Sequence, residues 1–201
     1  AGAREVTILS IQEQQGLRIA ALQILFQEQT PKGLRRRYVM EQQAWQLQPS
    51  GWHILASSRS AVMKIRPPAK LDPHLYEKDT DARVDIAQAV KKAAAEHKRV
   101  ILVFGGNWCY DCHVLETALH EPDVAPAARH FEWVHVDIGD NGKKNGDLVA
   151  KYRIPIEKGV PALAVLSGTG ALLYSDQHGE FEKARAMDPD DVIAFLNKWS
   201  K

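Results

Sequence analysis

The sequence predicts an α/β protein in which a mixed sheet flanked by helices follows a small antiparallel β-meander. Three observations carry that expectation. Residues 1–60 alternate β-favouring runs with tight-turn signals. Residues 61–79 hold Arg66-Pro67-Pro68 and Asp72-Pro73 with little periodicity, which marks a linker. Residues 80–201 alternate helical and strand patterns in an order that belongs to a sheet covered on both faces.

In the first segment, Glu5 to Ile11 reads as a strand that ends at the Gln15-Gly16 turn. Leu17 to Phe26 is apolar on both faces, so one side of the sheet is expected to be covered. Thr30-Pro31-Lys32-Gly33 turns the chain into a partly alternating run from Arg37 to Leu47, and Pro49-Ser50-Gly51 leads into Trp52 to Ala56. In the second segment, Asp81 caps a helix from Ala82 to about His97, with Ile86, Ala87, Val90, Ala93 and Ala94 on one face. Val100 to Phe104 is a continuous apolar run of the kind buried on both faces of a sheet. Gly105-Gly106-Asn107-Trp108 breaks it, and a helical pattern from about Cys109 to His120 follows. Phe131 to Ile138 is a strand, Asp147 to Tyr152 a short helix, Pro161 to Leu166 a strand and Ala171 to Tyr174 its hairpin partner. The last helix is marked by Asp188 at the cap, Pro189 at the first position and acids in the first turn.

Composition narrows the function classes. With 45% hydrophobic residues the 201-residue chain is not disordered, and it has no glycine period. A net charge of +1 supplies no field toward nucleic acid or an anionic membrane. The basic run Arg35-Arg36-Arg37 alternates faces in a strand and reads as a solvated sheet edge. The uncharged stretch Gly159 to Ser175 is punctuated by Pro161, Gly168, Thr169 and Gly170, so no membrane span is expected. No basic start and apolar run precede the fold as a signal peptide, and the chain opens Ala1-Gly2-Ala3 without Met, which leaves localisation open and allows a removed leader.

The two cysteines, Cys109 and Cys112, enclose too short a loop to staple the fold. Their position is informative instead. A dithiol in the first turn of a helix that follows a buried strand can close into a disulfide. The helix N-terminus favours a thiolate at Cys109, and Cys112, one turn further in, is the more buried thiol that resolves a mixed disulfide. Asp111 opposes the Cys109 thiolate by like charge and His113 favours it, so both are expected to tune its pKa.

This stretch resembles the thioredoxin-like superfamily. Val100 to Phe104, Trp108-Cys109-x-x-Cys112, the strand end Val136-Asp137 and Gly159-Val160-Pro161-Ala162-Leu163 fall in that family's order over residues 80–201. The resemblance implies a cis Pro161 facing the cysteines, with the backbone at Val160 free to pair with an extended substrate. It also implies that Trp108 and Tyr110 shape the substrate surface. There are two departures from thioredoxins proper: Val103 stands where they keep a buried aspartate, and Tyr110-Asp111 replaces Gly-Pro between the cysteines. The motif is similar to that of exported bacterial thioredoxin-like proteins, which favours a periplasmic or exported site over the cytoplasm. Gly51 to Ser58 resembles the last strand of SnoaL-like domains, small α+β cones, so residues 1–60 are similar to the C-terminal half of such a domain.

Competing readings use the same residues. Cys109-x-x-Cys112-His113 fits c-type haem attachment with Met187 or His178 as distal ligand, but the buried strand before it and the Gly-Val-Pro after it do not suit a largely helical cytochrome. Zinc needs four ligands, and Cys109, Cys112 and His113 offer three. Asp137 to Gly142 lacks the ligands of a calcium loop and reads as a turn. Glu116 reads as an exposed helix residue, and His53, His74, His97 and His120 receive no role.

The expected function is thiol–disulfide exchange on protein or small-molecule disulfides or thiols. Cys109 is the nucleophile, Cys112 the resolving thiol, and the redox-active pair stands in place of a cofactor or metal. An upstream redox partner is implied, and neither nucleic acid nor a membrane span is expected. The alternative is a binding or redox-sensing module that uses the second domain as a scaffold.

Overall fold

The computed structural model describes residues 2–31 and 33–200. The chain divides into two compact units, Ala1–Ala69 and Lys70–Lys201.

The first unit is an antiparallel meander of β1 (Gly2–Gln14), β2 (Leu17–Thr30), β3 (Gly33–Gln48) and β4 (Gly51–Met63), paired in chain order. Gln15 and Gly16 adopt φ of 51° and 76°, the left-handed pair that a two-residue hairpin requires, and they set the register Gln14 opposite Leu17. Each strand outruns its expected core, because glutamines such as Gln12, Gln27 and Gln46 do not break a ladder in which each has a paired residue on a neighbouring strand. β2 is central, and Ala20, Leu22, Gln23 and Leu25 on its two faces are buried, in line with its apolar run. The expected sheet edge at Arg35–Arg37 lies on β3, an interior strand; it is an edge locally, since pairing to β4 begins at Tyr38 opposite Met63.

The expected linker 61–79 is not a free spacer. Ala61 to Met63 extend β4, and Gln23 Nε2 donates to the Pro67 carbonyl at 3.0 Å, tying the following residues back onto β2. Tyr76 is wholly buried within the second unit. Proline punctuation reports the lack of regular structure there, not a lack of packing.

The second unit follows the expected order, with one extra short helix. It contains α1 (Ala82–Glu96), β5 (Arg99–Gly105), α2 (Tyr110–Leu119), α3 (Ala125–Ala128), β6 (Phe131–Asp137), α4 (Gly146–Lys151), β7 (Ala162–Leu166), β8 (Leu172–Ser175) and α5 (Pro189–Trp199). The sheet order is β6-β5-β7-β8, with β5 and β6 parallel and the other pairs antiparallel. Asp81 caps α1 by accepting the Arg83 amide at 3.0 Å, and Asp188 and Asp191 form a capping box on α5. Pleat alternation divides the sheet residues. Leu102, Phe104, Val134, Val136, Ala162 and Ala164 pack with Ile86 and Ala93 of α1. Val103, Gly105 and His135 therefore face the other way, toward α2, whose Glu116 reaches His135. Among the described residues no helix is long and apolar enough to cross a membrane.

Candidate active site

β5 ends at Gly105, and Asn107 and Trp108 carry the chain into α2. Cys109 takes the N-cap position with extended backbone, and its Sγ accepts the Cys112 amide at 3.1 Å. A sulfur held there faces the unpaired amides of a helix N-terminus, the environment that stabilises a thiolate. Cys109 and Cys112 are joined as a disulfide with their Cα atoms 5.3 Å apart. At 4% and 2% exposure both are nearly buried, so the expected contrast in access between them is small in this form.

The Val160–Pro161 peptide is cis, and the Val160 carbonyl oxygen lies 3.5 Å from Cys109 Sγ. That brings Val160 and Pro161, distant in sequence, against the pair. The Trp108 ring stands half-exposed beside the motif, with Nε1 donating to the Gly139 carbonyl at 3.2 Å. The Tyr110 ring is partly buried and lies under the Arg185 guanidinium, 4.8 Å from the ring centroid. Burial chiefly pushes the Tyr110 hydroxyl pKa up, with Arg185 opposing.

Asp111 and His113 meet surroundings that the motif does not disclose. Asp111 is buried, and its carboxylate accepts the Arg185 backbone amide at 2.9 Å and Nε at 3.0 Å, with Nη2 closing the second side. Its charge is thus matched by a guanidinium, which weakens the repulsion expected at Cys109. His113 is buried too; Nδ1 faces the Asp72 amide at 3.4 Å and Nε2 the Asn107 carbonyl at 3.0 Å. Both ring nitrogens are engaged by backbone, so the ring clamps residue 72 to the turn before α2 and has no free nitrogen for iron. Glu116, expected as an exposed helix residue, instead lies 3.2 Å from His135 Nε2 and 3.5 Å from His120 Nδ1. Burial pushes its carboxyl up, but the His135 hydrogen bond and the charges of His135, His120 and His113 outweigh that and leave its pKa below the ordinary value of 4.5.

Three residues near the pair belong to no sequence motif. Asn107 accepts the Tyr76 amide at 2.8 Å and donates to the Pro73 and Tyr76 carbonyls, pinning the preceding segment over the site. Tyr76 packs directly on Cys109 and Cys112. Arg185, from a 3₁₀ turn at Ala184–Ala186, is the partner of Asp111. The apolar pair Leu75-Tyr76 in a polar, proline-marked stretch was the only hint of the second of these. Among the described residues no group of three or more His, Cys, Asp or Glu side chains is placed to hold a metal ion.

Comparison with known proteins agrees with this geometry. A family model described as thioredoxin-like matches residues 81–168. The chain is 24% identical over 146 residues to thiol:disulfide interchange protein DsbD 2 of Pseudomonas aeruginosa, a match covering 72% of this chain and 20% of that protein. It is 23% identical over 118 residues to thiol:disulfide interchange protein DsbD of Pseudomonas fluorescens, covering 58% of this chain and 18% of that one. The chain therefore spans about a fifth of the length of the curated relatives it matches. Among solved structures, a disulphide isomerase from Xylella fastidiosa is similar with a TM-score of 0.58 and 32% identity, covering 63% of this chain and 97% of that one. With a β6-β5-β7-β8 mixed sheet, a dithiol at the head of α2 and a Val160–Pro161 segment against it, the chain belongs to the thioredoxin-like superfamily.

Proposed function

We propose that the protein is a thiol–disulfide oxidoreductase in which Cys109 attacks and Cys112 resolves. The observation that carries this reading is Cys109 Sγ at the N-cap of α2, hydrogen-bonded by the Cys112 amide and facing the Val160 carbonyl. In the reducing direction the Cys109 thiolate attacks one sulfur of a substrate disulfide, and the other substrate sulfur leaves as a thiolate. The Cys112 thiolate then attacks Cys109 Sγ, forming the internal disulfide and releasing the second substrate thiolate. Run backwards, the same steps oxidise substrate thiols. Trp108, Tyr110, Val160 and Pro161 border the sulfur and form the surface on which the substrate lies, Val160 by offering backbone to an extended peptide. Substrates are proteins or small molecules bearing disulfides or thiols, and a second redox protein returns the pair to its starting state. The likeness to interchange proteins and a disulphide isomerase supports this class. It also supports a periplasmic or exported setting, where disulfides persist. The test is reduction of insulin by wild type and Cys109→Ser: turnover is expected to vanish in the variant, and undiminished turnover overturns the reading.

A second role for the first unit is favoured by one feature. On one face of the meander Val6, Ile8, Ile11, Trp52 and Ile54 are exposed around a trough of about 540 Å³. An apolar row of this kind marks a binding surface, and here it is read as one for the polypeptide around the target disulfide. Ile8→Asp with Ile54→Asp is then expected to slow reduction of insulin and leave reduction of a small aromatic disulfide unchanged. Equal effects on both substrates remove this role.

A further inference from the structure

We infer that the Tyr76 hydroxyl is the hydrogen-bond donor to Cys112 sulfur in the reduced protein, and so the residue that stabilises the resolving thiolate; the inference rests on the redox reading above. Tyr76 is wholly buried, and its Oη has no hydrogen-bond partner among the described residues. Buried hydroxyls are almost always paired, so an orphan beside a reactive sulfur calls for an explanation. Tyr76 packs against Cys109 and Cys112, and a Cβ built on Gly105 would lie 2.4 Å from Tyr76 Oη and 2.5 Å from Cys112 Sγ. Both atoms thus border the one small space that the absent side chain of Gly105 leaves open.

In the disulfide each sulfur is a weak acceptor, and the hydroxyl has nothing to give its proton to. Reduction changes this. As a thiol Cys112 Sγ keeps the two lone pairs it has in the disulfide; on losing its proton it gains a third and a negative charge, and becomes a strong acceptor bordering the same space as the Tyr76 hydroxyl. Val103 lies on the same pleat face as Gly105 and provides no acid there, so this site handles the resolving thiol without a carboxylate at that position. The groups around Tyr76 are compatible with a donor. His135 meets its ring edge-on at 5.1 Å; Glu116 pairs with His135, and Asp137 is paired with Lys144 at 2.9 Å. Burial first, and then the charges of Glu116 and Asp137, push the Tyr76 pKa well up, so it keeps its proton. In the resolving step the Cys112 proton passes to solvent and Tyr76 donates to the thiolate. That thiolate attacks Cys109 Sγ, and the bond from Cys109 to the substrate sulfur breaks with its electron pair leaving on the substrate. Tyr76 is a positioning residue and is not consumed.

The experiment compares wild type with Tyr76→Phe, which deletes only the hydroxyl. In glutathione buffers the disulfide of the variant is expected to be about tenfold harder to reduce, a shift of about 30 mV to more negative potential. The variant loses an unpaired group in the oxidised form and a hydrogen bond in the reduced form, and both changes favour the disulfide. In a Cys109→Ser background, the pH profile of Cys112 alkylation is expected to move up by about one pH unit on adding Tyr76→Phe. An unaltered potential and an unaltered alkylation profile overturn the inference. A merely structural role for Tyr76 would lower the melting temperature and leave the alkylation profile in place, which also overturns it. A third readout needs no Tyr76 variant: the oxidised-minus-reduced infrared difference spectrum of the wild type should contain a tyrosine ring band, and its absence counts against the contact. None of these needs turnover of a protein substrate, so failure of insulin turnover would strike the redox reading while these readouts judge the Tyr76 contact separately.

Discussion

Arg185 grips Asp111 twice: its backbone amide and its guanidinium both converge on the one carboxylate, which is buried one position before Cys112. Asp111, one of the two residues between the cysteines, is therefore an anchor for the 3₁₀ turn at Ala184–Ala186 as well as part of the motif. Removing the guanidinium strands a buried carboxylate. Arg185→Ala is expected to destabilise the chain by about 1–3 kcal/mol, toward the low end because the arginine side chain is half-exposed and its pair is partly screened. The freed charge then acts on Cys109, so its thiolate forms at higher pH than in wild type. Asp111→Asn added to Arg185→Ala should recover much of both losses. Denaturant midpoints and the pH profile of Cys109 alkylation, read through the double-mutant cycle, check this; purely additive effects refute the coupling.

Gly105 sets the spacing at the pair. A methyl group there would overlap the Tyr76 hydroxyl and Cys112 Sγ, neither of which has room to retreat, since both residues are buried. Gly105→Ala is expected to lose at least about 2 kcal/mol in a denaturant titration, at the upper end of overpacking effects in a closed core. Reduction of the disulfide should relieve part of the clash, so the loss is expected to be smaller with the pair reduced. An equal loss in both states shows that the overlap is absorbed elsewhere.

Much of this was written locally in the chain. Periodicity from Ala82 onward, the apolar run at Val100 to Phe104 and the Asp188-Pro189 start gave the order of the second unit, because each element's own pattern matched its place in the sheet. The dithiol was legible for the same reason: a strand, a glycine break and a helix start are all short-range signals. What could not be read were the contacts made across the fold. Tyr76 reaches Asn107 over 31 positions and Arg185 reaches Asp111 over 74, and no local pattern records which side chains the folded sheet brings together. The same limit explains Asp111 and His113. As isolated neighbours of Cys109 in the sequence they read as charges acting on it; in the fold the carboxylate is claimed by Arg185 and the imidazole by two backbone groups. Strand length in the first unit exceeds what local propensity implies because a polar residue in a ladder is held by its neighbours and not by its own propensity.

The Glu116–His135 pair makes the second unit sensitive to acid. A carboxyl whose pKa falls on folding adds stability that is fully present above its unfolded value, and loses it as the pH drops through its folded value. For Glu116 the unfolded value is the ordinary 4.5 and the folded value lies below it, since the hydrogen bond from His135 and three nearby imidazoles outweigh the burial that pushes the other way. Wild type is therefore expected to lose the Glu116 contribution as the solution is acidified below about pH 4.5. Glu116→Gln removes the titrating group and should flatten that part of the stability–pH curve while lowering the plateau near neutral pH, where the carboxylate's hydrogen bond with His135 is lost. Urea midpoints at several pH values between about 3 and 7 on both proteins measure the two slopes. Parallel curves would place the acid-sensitive group elsewhere, and a steeper curve for the variant would reverse the sign argued for Glu116.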